Sequence, residues 1–347
     1  MKRILKGQTW IEELKQIKAA VRAVQLYAAR YIPAHIKQEM RIAAATSGVP
    51  YFDLVCCNLA YEIAMIATTP GKLDLTGMWQ SLVGLPATRV GCTSFGYWGC
   101  TGHWDFPCNT AVLFARNLDW ADPDGLLKRH TRSAKYKARP ARSLWSAASP
   151  MKGFRSLTFP GYSGVLTGYA PGRFAVSLNA VFNDAAISFG AAPSMLTRQA
   201  LETCRTYADA VKLLARTPLV CSALFTVIDA DPSAGTNAGC VIERSAKGYA
   251  IRSAIPVGKN DWVVCATNDY LAIESGDVSD LPSEIGATSC NRYHKVITGL
   301  RNARLGLDDS EMVGVKDVRR ILASTRFGCT VHSTVFDASD SKDLPWE

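Results

Sequence analysis

The residues with the clearest chemical potential are one cysteine and, further along the chain, an Arg-Asn-x-Asp motif. Cys92 lies in Val-Gly-Cys-Thr-Ser at 90–94, and Arg116 and Asp119 lie in Ala-Arg-Asn-Leu-Asp-Trp at 115–120. A backbone cut before Cys92 would give that residue both a thiol nucleophile and a free α-amine. An α-amine has a pKa near ~8, so it can accept the thiol proton close to neutral pH. The pattern predicts amide hydrolysis in which nucleophile and base belong to one residue.

The two charged residues of the motif suit the same chemistry. The guanidinium of Arg116 would favour thiolate over thiol. The carboxylate of Asp119 could orient the α-amine and hold its protonated form by a charge-assisted hydrogen bond. A lone cysteine beside an apolar run is more often a small buried apolar residue, so the rest of the chain has to decide between the two interpretations.

Composition describes an ordinary globular protein. The chain has 347 residues, 48% of them hydrophobic and 20% charged. It contains no apolar run of the ~18 residues that a membrane-spanning helix needs. No leader-like apolar segment follows the first residues, and no Asn-x-Ser/Thr acceptor occurs, so we expect a cytoplasmic location.

The eleven cysteines are irregularly spaced and include no CxxC pair, which argues against a zinc ribbon or a thioredoxin motif. We expect reduced, mostly structural thiols. Cys100, His103 and Cys108 lie close together, but three ligands at this spacing are a weak metal pattern, and a loop with incidental cysteines is preferred. We expect neither a metal nor a cofactor.

The formal charge of +9 comes largely from a basic stretch at 128–155. The common explanation is a solvated basic loop; the functional one is a patch that faces an anionic membrane surface or an acidic substrate. A helix that starts at the capping box Thr9–Glu12 also has a basic polar face, so it packs on the core or lies at a membrane interface. No nucleic-acid module accompanies the charge, and we expect no nucleic-acid partner.

The apolar patterns predict an α+β layered fold. Helices are expected over His35–Ala45, over 51–67, over Ser194–Ala215 and over Ser310–Ser324, with a loose connector at Thr76–Thr88. Short apolar runs between Gly and Pro predict strands. These runs are at 110–118, 155–159, 163–169, 173–182, 221–229, 239–244, 248–255, 261–267 and 329–337.

Several motifs in order resemble the acid ceramidase and N-acylethanolamine acid amidase family, within the choloylglycine-hydrolase group of N-terminal-nucleophile (Ntn) hydrolases. The resemblance covers most of the chain. The matching segments are Asn58-Leu-Ala-Tyr-Glu-Ile63, Cys92-Thr-Ser, Arg116-Asn-Leu-Asp119, the Gly-Tyr-Ser-Gly-Val-Leu-Thr-Gly run from Gly161 with Ser177-Leu-Asn179, Leu196-Thr-Arg-Gln-Ala-Leu-Glu202, Thr267-Asn268-Asp-Tyr270, and Asn291-Arg292.

The resemblance implies a four-layer αββα sandwich with the nucleophile on a central strand. It also implies self-cleavage between Gly91 and Cys92. The products would be a helical segment of residues 1–91 and a catalytic domain of residues 92–347 that stay associated. The implied reaction is hydrolysis of the amide in a lipophilic N-acyl amide, a ceramide or an N-acylethanolamine.

Six residues are the expected catalytic set. Cys92 would form a thioester, with Arg116 and Asp119 beside it. The amide of Asn268 is the best candidate for the oxyanion donor, Asn179 could assist it, and Arg292 could orient Asp119 or polarise the site. In isolation, Asn179 could equally cap a strand, Asn268 could lie in a turn, and Arg292 could form a surface ion pair.

Departures from the family pattern keep other functions open. Ala180 and Val181 replace the Glu and Arg of the family's Leu-Asn-Glu-Arg, which weakens the case for ceramide, and the Cys-to-Arg interval is lengthened by the stretch Gly96–Cys108. One alternative is an amidase or acyltransferase that acts on a more compact bile-salt, penicillin or N-acyl-amino-acid substrate. Another is a non-catalytic, membrane-associated protein with the same fold.

Overall fold

The structure is a computed structural model that describes most of the chain. It covers residues 21–67, 90–100, 110–120, 122, 124–137, 153–181, 188–231, 238–245, 248–273, 284–308 and 311–338. The capping box at 9–12, the connector at 76–88, residues 101–108 of the 96–108 stretch and residues 138–152 of the 128–155 stretch lie outside these residues.

Two antiparallel sheets form the centre of the molecule. The first has the strand order β10-β11-β1-β2-β12, and the second has the order β3-β4-β5-β6-β7-β8-β9. The strands are β1 Val90–Cys100, β2 Thr110–Trp120, β3 Arg132–Tyr136, β4 Phe154–Thr158, β5 Thr167–Ala170, β6 Phe174–Asn179, β7 Ala223–Asp229, β8 Gly239–Arg244, β9 Tyr249–Ser253, β10 Ile255–Gly258, β11 Asp261–Ala266 and β12 Thr330–Asp337.

Helices cover the outer face of each sheet. The helices are α1 Ala34–Ser47, α2 Tyr51–Asn58, α3 Ala60–Ala67, α4 Leu126–His130, α5 Pro193–Thr203, α6 Tyr207–Arg216, α7 Glu284–Leu305 and α8 Val315–Ala323, and residues 21–31 are also helical. α7 and α8 pack on the five-stranded sheet, while α5 and α6 pack on the seven-stranded sheet. The four layers are therefore α, β, β and α, and the predicted fold class is confirmed.

The two faces of the central strands bury different sets of residues. Because side chains alternate along a strand, Trp98 and Phe114 point into the core between the sheets, while Phe95 and Tyr97 point toward α7 and α8. At 25 cal/mol per Å² of apolar area, each such aromatic side chain stabilises the fold by about 2–3 kcal/mol. Both faces of β1 and β2 are buried, so polar side chains there need partners within the protein.

The N-terminal helices dock on the start of α5. Ile36 and Met40 of α1 pack with Val55 and Leu59 against Met195, and α1 ends at Gly48, whose φ of 74° lies in the left-handed region. The helix predicted over His35–Ala45 is thus confirmed. No helix in the described part of the chain has the length and apolar character that crossing a membrane requires.

Three helix predictions need correction, and one helix was not predicted. The helix predicted over Ser310–Ser324 begins only at Val315. The helix predicted over 51–67 is interrupted at Leu59, and that over 194–215 is interrupted at Cys204–Thr206, where Thr206 caps α6. α7 was missed because polar residues and two glycines dilute its apolar pattern. Gly299 is needed there, since a Cβ atom would lie 2.9 Å from Ile321 of α8.

Candidate active site

Cys92 lies near the start of β1, at the centre of a row of side chains that crosses the five-stranded sheet. Its ladder partner on β2 is Leu118, and the partner of Leu118 on β12 is His332. On the other side, β11 ends at Ala266, and Asn268 follows it beside Cys92. Directly paired residues share a face, so this row points toward the seven-stranded sheet.

Arg116 contacts the Cys92 sulfur. Its Nη2 atom donates to Cys92 Sγ at 3.1 Å and to the carbonyl of Leu178 at 2.6 Å, and its Nη1 atom donates to the carbonyl of Leu166 at 2.8 Å. Leu178 lies on β6 and Leu166 directly precedes β5, so this guanidinium links β2 to the second sheet. Arg116 is fully buried and takes part in none of the ion pairs found among the described residues. A Cys92 thiolate would supply the missing counter-charge.

Burial controls the protonation of this pair. It raises the pKa of the Cys92 thiol, and Arg116, which lowers that pKa, offsets the effect only in part. Burial also lowers the pKa of the Arg116 guanidinium. With the Gly91–Cys92 bond intact, Cys92 is therefore a protonated thiol that needs a base before it can attack a carbonyl.

Asn268 and Arg292 hold the backbone of Cys92. The Oδ1 atom of Asn268 accepts from the Cys92 N–H at 3.1 Å and from Arg292 Nη2 at 2.6 Å. Arg292 Nη1 donates to the carbonyl of Cys92 and to the Thr93 hydroxyl. The structure thus places Arg292 on α7, buried against the backbone of the candidate nucleophile and not in a surface ion pair.

Asp119 lies on the opposite face of the sheet from the Cys92 sulfur. The register pairs it with Gly91, next to the peptide bond that precedes Cys92. Thr330 donates to its Oδ1 atom at 2.6 Å, and its buried Oδ2 atom has no partner within the described residues. Burial raises the pKa of the Asp119 carboxyl, whereas Thr330, Arg292 and Arg116 lower it. The unpaired Oδ2 atom can accept a hydrogen bond from an amine formed when that peptide bond is cut.

Asn179 is close to the site without contacting Cys92 through its side chain. Its Nδ2 atom donates to the carbonyls of Ala266 and Thr267 at 3.0 Å, and its Oδ1 atom accepts from Ser94 at 3.1 Å. It therefore ties β6 of one sheet to the end of β11 in the other.

The two amide groups expected to stabilise an oxyanion are occupied in this structure. The Nδ2 atom of Asn268 donates to the carbonyl of Ala180 at 2.8 Å, and that of Asn179 is used as described above. The backbone N–H of Ala180 hydrogen-bonds the Cys92 thiol and lowers its pKa. The sequence does not identify this donor, because a backbone N–H is common to nearly all residues and only the position of Ala180 after Asn179 points to it.

Two further polar residues near the site were also missed. The sequence marks Thr330 only as a strand residue, although its hydroxyl donates a hydrogen bond to Asp119. His332 was not singled out, although its buried ring shares the row of Cys92 and Leu118. Both lie on β12, which joins β2 only in the folded sheet.

The motif of the N-terminal segment docks beside the same strands. Asn58 bonds the loop at 161–163, and the Tyr61 hydroxyl donates to the carbonyl of Asn179 at 3.3 Å. The buried carboxylate of Glu62 accepts from the backbone N–H and the hydroxyl of Ser194 at the start of α5. The segment before Cys92 is therefore bound to the candidate site by specific hydrogen bonds.

No grouping of three or more His, Cys, Asp or Glu side chains suited to a metal occurs in the described residues. Cys100 is buried, and residues 101–109 lie outside the described ranges. The expectation that the site uses no metal or cofactor stays a prediction.

Two antiparallel sheets between helical layers, with a buried cysteine and arginine paired on a central strand hairpin, define an Ntn-hydrolase fold. A family model described as acyl-coenzyme A:6-aminopenicillanic acid acyl-transferase matches residues 107–342. The chain belongs to this family. The predicted resemblance to acid ceramidase and N-acylethanolamine acid amidase is also confirmed by the relatives found.

These relatives are named amidases and ceramidases. The chain is 29% identical over 248 residues to the N-acylethanolamine-hydrolyzing acid amidase of Caenorhabditis elegans, covering 69% of this chain and 59% of that protein. It is 24% identical over 249 residues to the acid ceramidase of Homo sapiens, covering 68% and 54%. The chain thus spans little more than half the length of these relatives.

A solved structure of the Caenorhabditis elegans N-acylethanolamine-hydrolyzing acid amidase ortholog is also similar. It aligns with a TM-score of 0.49 and 23% identity, covering 71% of this chain and 94% of that one.

Proposed function

We propose that the chain is an N-terminal-cysteine amide hydrolase that acts on lipophilic N-acyl amides. The observation that carries the proposal is the buried guanidinium of Arg116, which has no carboxylate hydrogen-bonded to it and donates to Cys92 Sγ at 3.1 Å. A buried cation without a hydrogen-bonded carboxylate is costly to desolvate, and a thiolate at the Cys92 position would offset part of that cost. The names of the relatives support an amide substrate.

The first step of the proposal is self-cleavage between Gly91 and Cys92. The Cys92 sulfur attacks the Gly91 carbonyl carbon, the C–N bond breaks, and the nitrogen takes a proton to become the α-amine of Cys92. Water then hydrolyses the resulting thioester and leaves Gly91 as a carboxylate. Asp119 lies opposite Gly91 with an unpartnered oxygen, so it is placed to hydrogen-bond the new ammonium group.

Amide hydrolysis follows the same course. The α-amine accepts the thiol proton, the thiolate attacks the substrate carbonyl, and the protonated amine delivers its proton to the leaving amine. The N–H of Ala180 is a donor available to the oxyanion, and the Asn268 amide can join it once that side chain releases the Ala180 carbonyl. Water then releases the fatty acid from the thioester.

The test is intact mass and denaturing electrophoresis of the wild type beside Cys92→Ala. We expect the wild type to separate into residues 1–91 and 92–347, while the variant stays whole. Cys265→Ala is a matched control, because Cys265 is buried in the same sheet but on its outer face, and this variant should cleave normally.

Activity is measured as fatty acid released from N-lauroylethanolamine. Rapid quenching should trap a lauroyl thioester on the fragment that begins with Cys92. A wild type that stays whole even after acidification would refute the self-cleavage mechanism and favour a binding protein with the same fold. Cleavage without any amide hydrolysis would refute the substrate class alone.

Acyl transfer is a second candidate, because the matching family model is described as an acyl-transferase. An amine that reaches the thioester before water would form a new amide instead of a fatty acid. Adding ethylamine to the assay should leave the yield of fatty acid nearly unchanged for a hydrolase. A yield of N-lauroylethylamine that rises with ethylamine would identify a transferase.

Contact with an anionic membrane surface is a further part of the proposal. Lys128 and Arg129 on α4 and Arg132 and Lys135 on β3 are exposed. Sedimentation with phosphatidylserine vesicles should fall at high salt and in a variant with these residues changed to Glu. Equal binding to neutral vesicles would contradict it. A cytoplasmic location stays a prediction from the sequence.

A further inference from the structure

A buried histidine near Cys92 has no hydrogen-bond partner. His332 is 1% exposed, and neither of its ring nitrogens is bonded within the described part of the chain. Other buried side chains there leave one polar atom unpaired, whereas His332 leaves two. A buried polar group without a hydrogen bond costs about 1–3 kcal/mol. An unpaired buried histidine is therefore a candidate for binding a ligand.

The position of His332 relates it to the candidate nucleophile. The ladder runs from Cys92 through Leu118 to His332 on the face that looks toward the second sheet. Neighbouring strands lie about 4.8 Å apart, so the backbones of Cys92 and His332 are roughly 10 Å apart. The two side chains point to the same side of the sheet, with the apolar Leu118 between them.

The ring is uncharged at ordinary pH. Burial, and then the charge of Arg116, lower its pKa to about 3. A neutral imidazole has one N–H donor and one acceptor nitrogen, which complements a hydroxyl group, itself a donor and an acceptor. It offers no positive charge to balance a carboxylate.

The chemistry of an N-acyl amide indicates which end of the substrate would contact the His332 ring. A hydrocarbon acyl chain placed against His332 would leave both nitrogens unmet, whereas a polar amine group would satisfy them. In an N-acylethanolamine, the hydroxyl lies roughly 5 Å from the scissile carbonyl in the extended form, within the span between the two side chains. Ala180 and Val181, the apolar departures from the family pattern, provide no competing polar side chain.

We propose that His332 is a specificity-determining residue that hydrogen-bonds a hydroxyl group on the amine side of the substrate. The proposal rests on the proposed amidase function. It narrows the substrate class to amides of hydroxylated amines, in preference to simple alkylamides and to N-acyl amino acids.

The experiment compares N-lauroylethanolamine with N-lauroylpropylamine, in which a methyl group replaces the hydroxyl. We expect the wild type to favour the ethanolamide by about 10- to 100-fold in kcat/KM, because the analogue leaves the imidazole unpaired. His332→Phe should reduce this ratio to near one, mainly by raising KM for the ethanolamide. His332→Gln, which keeps a donor and an acceptor, should restore part of the preference.

Two further readouts separate recognition from folding. His332→Phe should unfold at the same urea concentration as the wild type or a higher one, because no internal hydrogen bond is lost. The control His294→Phe, on the exposed side of α7, should keep the wild-type substrate ratio.

Three outcomes would overturn the proposal. The first is an unchanged substrate ratio in His332→Phe with activity intact, which would leave the amidase function standing. The second is a preference for N-lauroylglycine that His332→Phe abolishes, since this would require a charged ring. The third is a wild type that hydrolyses none of the three amides, in which case the amidase function itself fails and the role of His332 with it.

Discussion

Ionisation of the buried carboxyl group of Glu62 should destabilise the folded chain as the pH rises from acid to neutral. Its carboxylate is 2% exposed, is held by Ser194, and has one oxygen without a partner in the described residues. Tyr27, Tyr61 and Cys221 lie around it, and no cation is among the groups that govern its protonation. Replacing it by Gln keeps the size and the acceptor for Ser194 while removing ionisation.

The magnitude follows from the burial of the carboxyl group. Burial raises the pKa of Glu62 from 4.5 to about 7, against the opposing hydrogen bonds from its own backbone and from Ser194. One pKa unit corresponds to about 1.4 kcal/mol, so ionisation costs the folded state about 3 kcal/mol more than the unfolded one. Because the folded-state pKa is the higher one, this stability is fully present below pH 4.5 and is lost as the pH rises through about 7.

The assay is urea unfolding, followed by tryptophan fluorescence, in the Cys92→Ala background, so that the chain stays whole. The free energy of unfolding is measured from pH 4 to pH 8 with and without Glu62→Gln. The two proteins should be similar near pH 4, and Glu62→Gln should become more stable by about 3 kcal/mol near pH 8.

A matched substitution at an exposed carboxylate, Glu311→Gln, should run parallel to the parent over the whole range. The reasoning fails if Glu62→Gln also runs parallel to the parent, because the buried carboxyl would then have the same pKa in the folded and unfolded chains.

The other predictions concern the candidate site. Arg116→Lys keeps a positive charge, but a lysine cannot reach both carbonyls and the sulfur, so this variant should raise the pKa of Cys92. The pH dependence of Cys92 alkylation by iodoacetamide should then move to higher pH, and kcat/KM should fall at least about tenfold. Thr330→Val removes the hydrogen bond that lowers the pKa of Asp119, so the acid limb of the self-cleavage rate, followed by intact mass, should move to higher pH. Asn179→Ala leaves two carbonyls and Ser94 without this partner and should lower the free energy of unfolding by about 2–4 kcal/mol, as measured with urea.

Each of these has a contrary result. An unchanged alkylation profile in Arg116→Lys would show that the guanidinium does not govern the thiol. A self-cleavage profile in Thr330→Val that coincides with the wild type would remove Asp119 from that step. An Asn179→Ala protein with normal stability and no activity would show that Asn179 takes part in catalysis and does not stabilise the fold.

Much of the strand pattern could be predicted from local sequence. The runs predicted at 110–118, 239–244 and 329–337 became β2, β8 and β12 nearly unchanged, because short apolar runs between turn residues have few other ways to be buried. α7 could not be predicted, since packing against the sheet and α8 overrides its weak helical pattern. The interruption at Leu59 was hidden because both halves of that segment are apolar.

Local sequence specifies the reactive groups and their order along the chain: a cysteine, the Arg-Asn-x-Asp motif, and the asparagines and arginine that follow. Which of these groups come into contact depends on the tertiary fold. The side-chain period of a strand is two, so residues three apart, such as Arg116 and Asp119, lie on opposite faces of β2, one toward the sulfur and one opposite Gly91. β12 lies more than 200 residues from β2 along the chain, as the Thr330–Asp119 pair shows. The positions of Thr330 and His332 at the site are thus fixed by strand order and register, which local sequence does not specify.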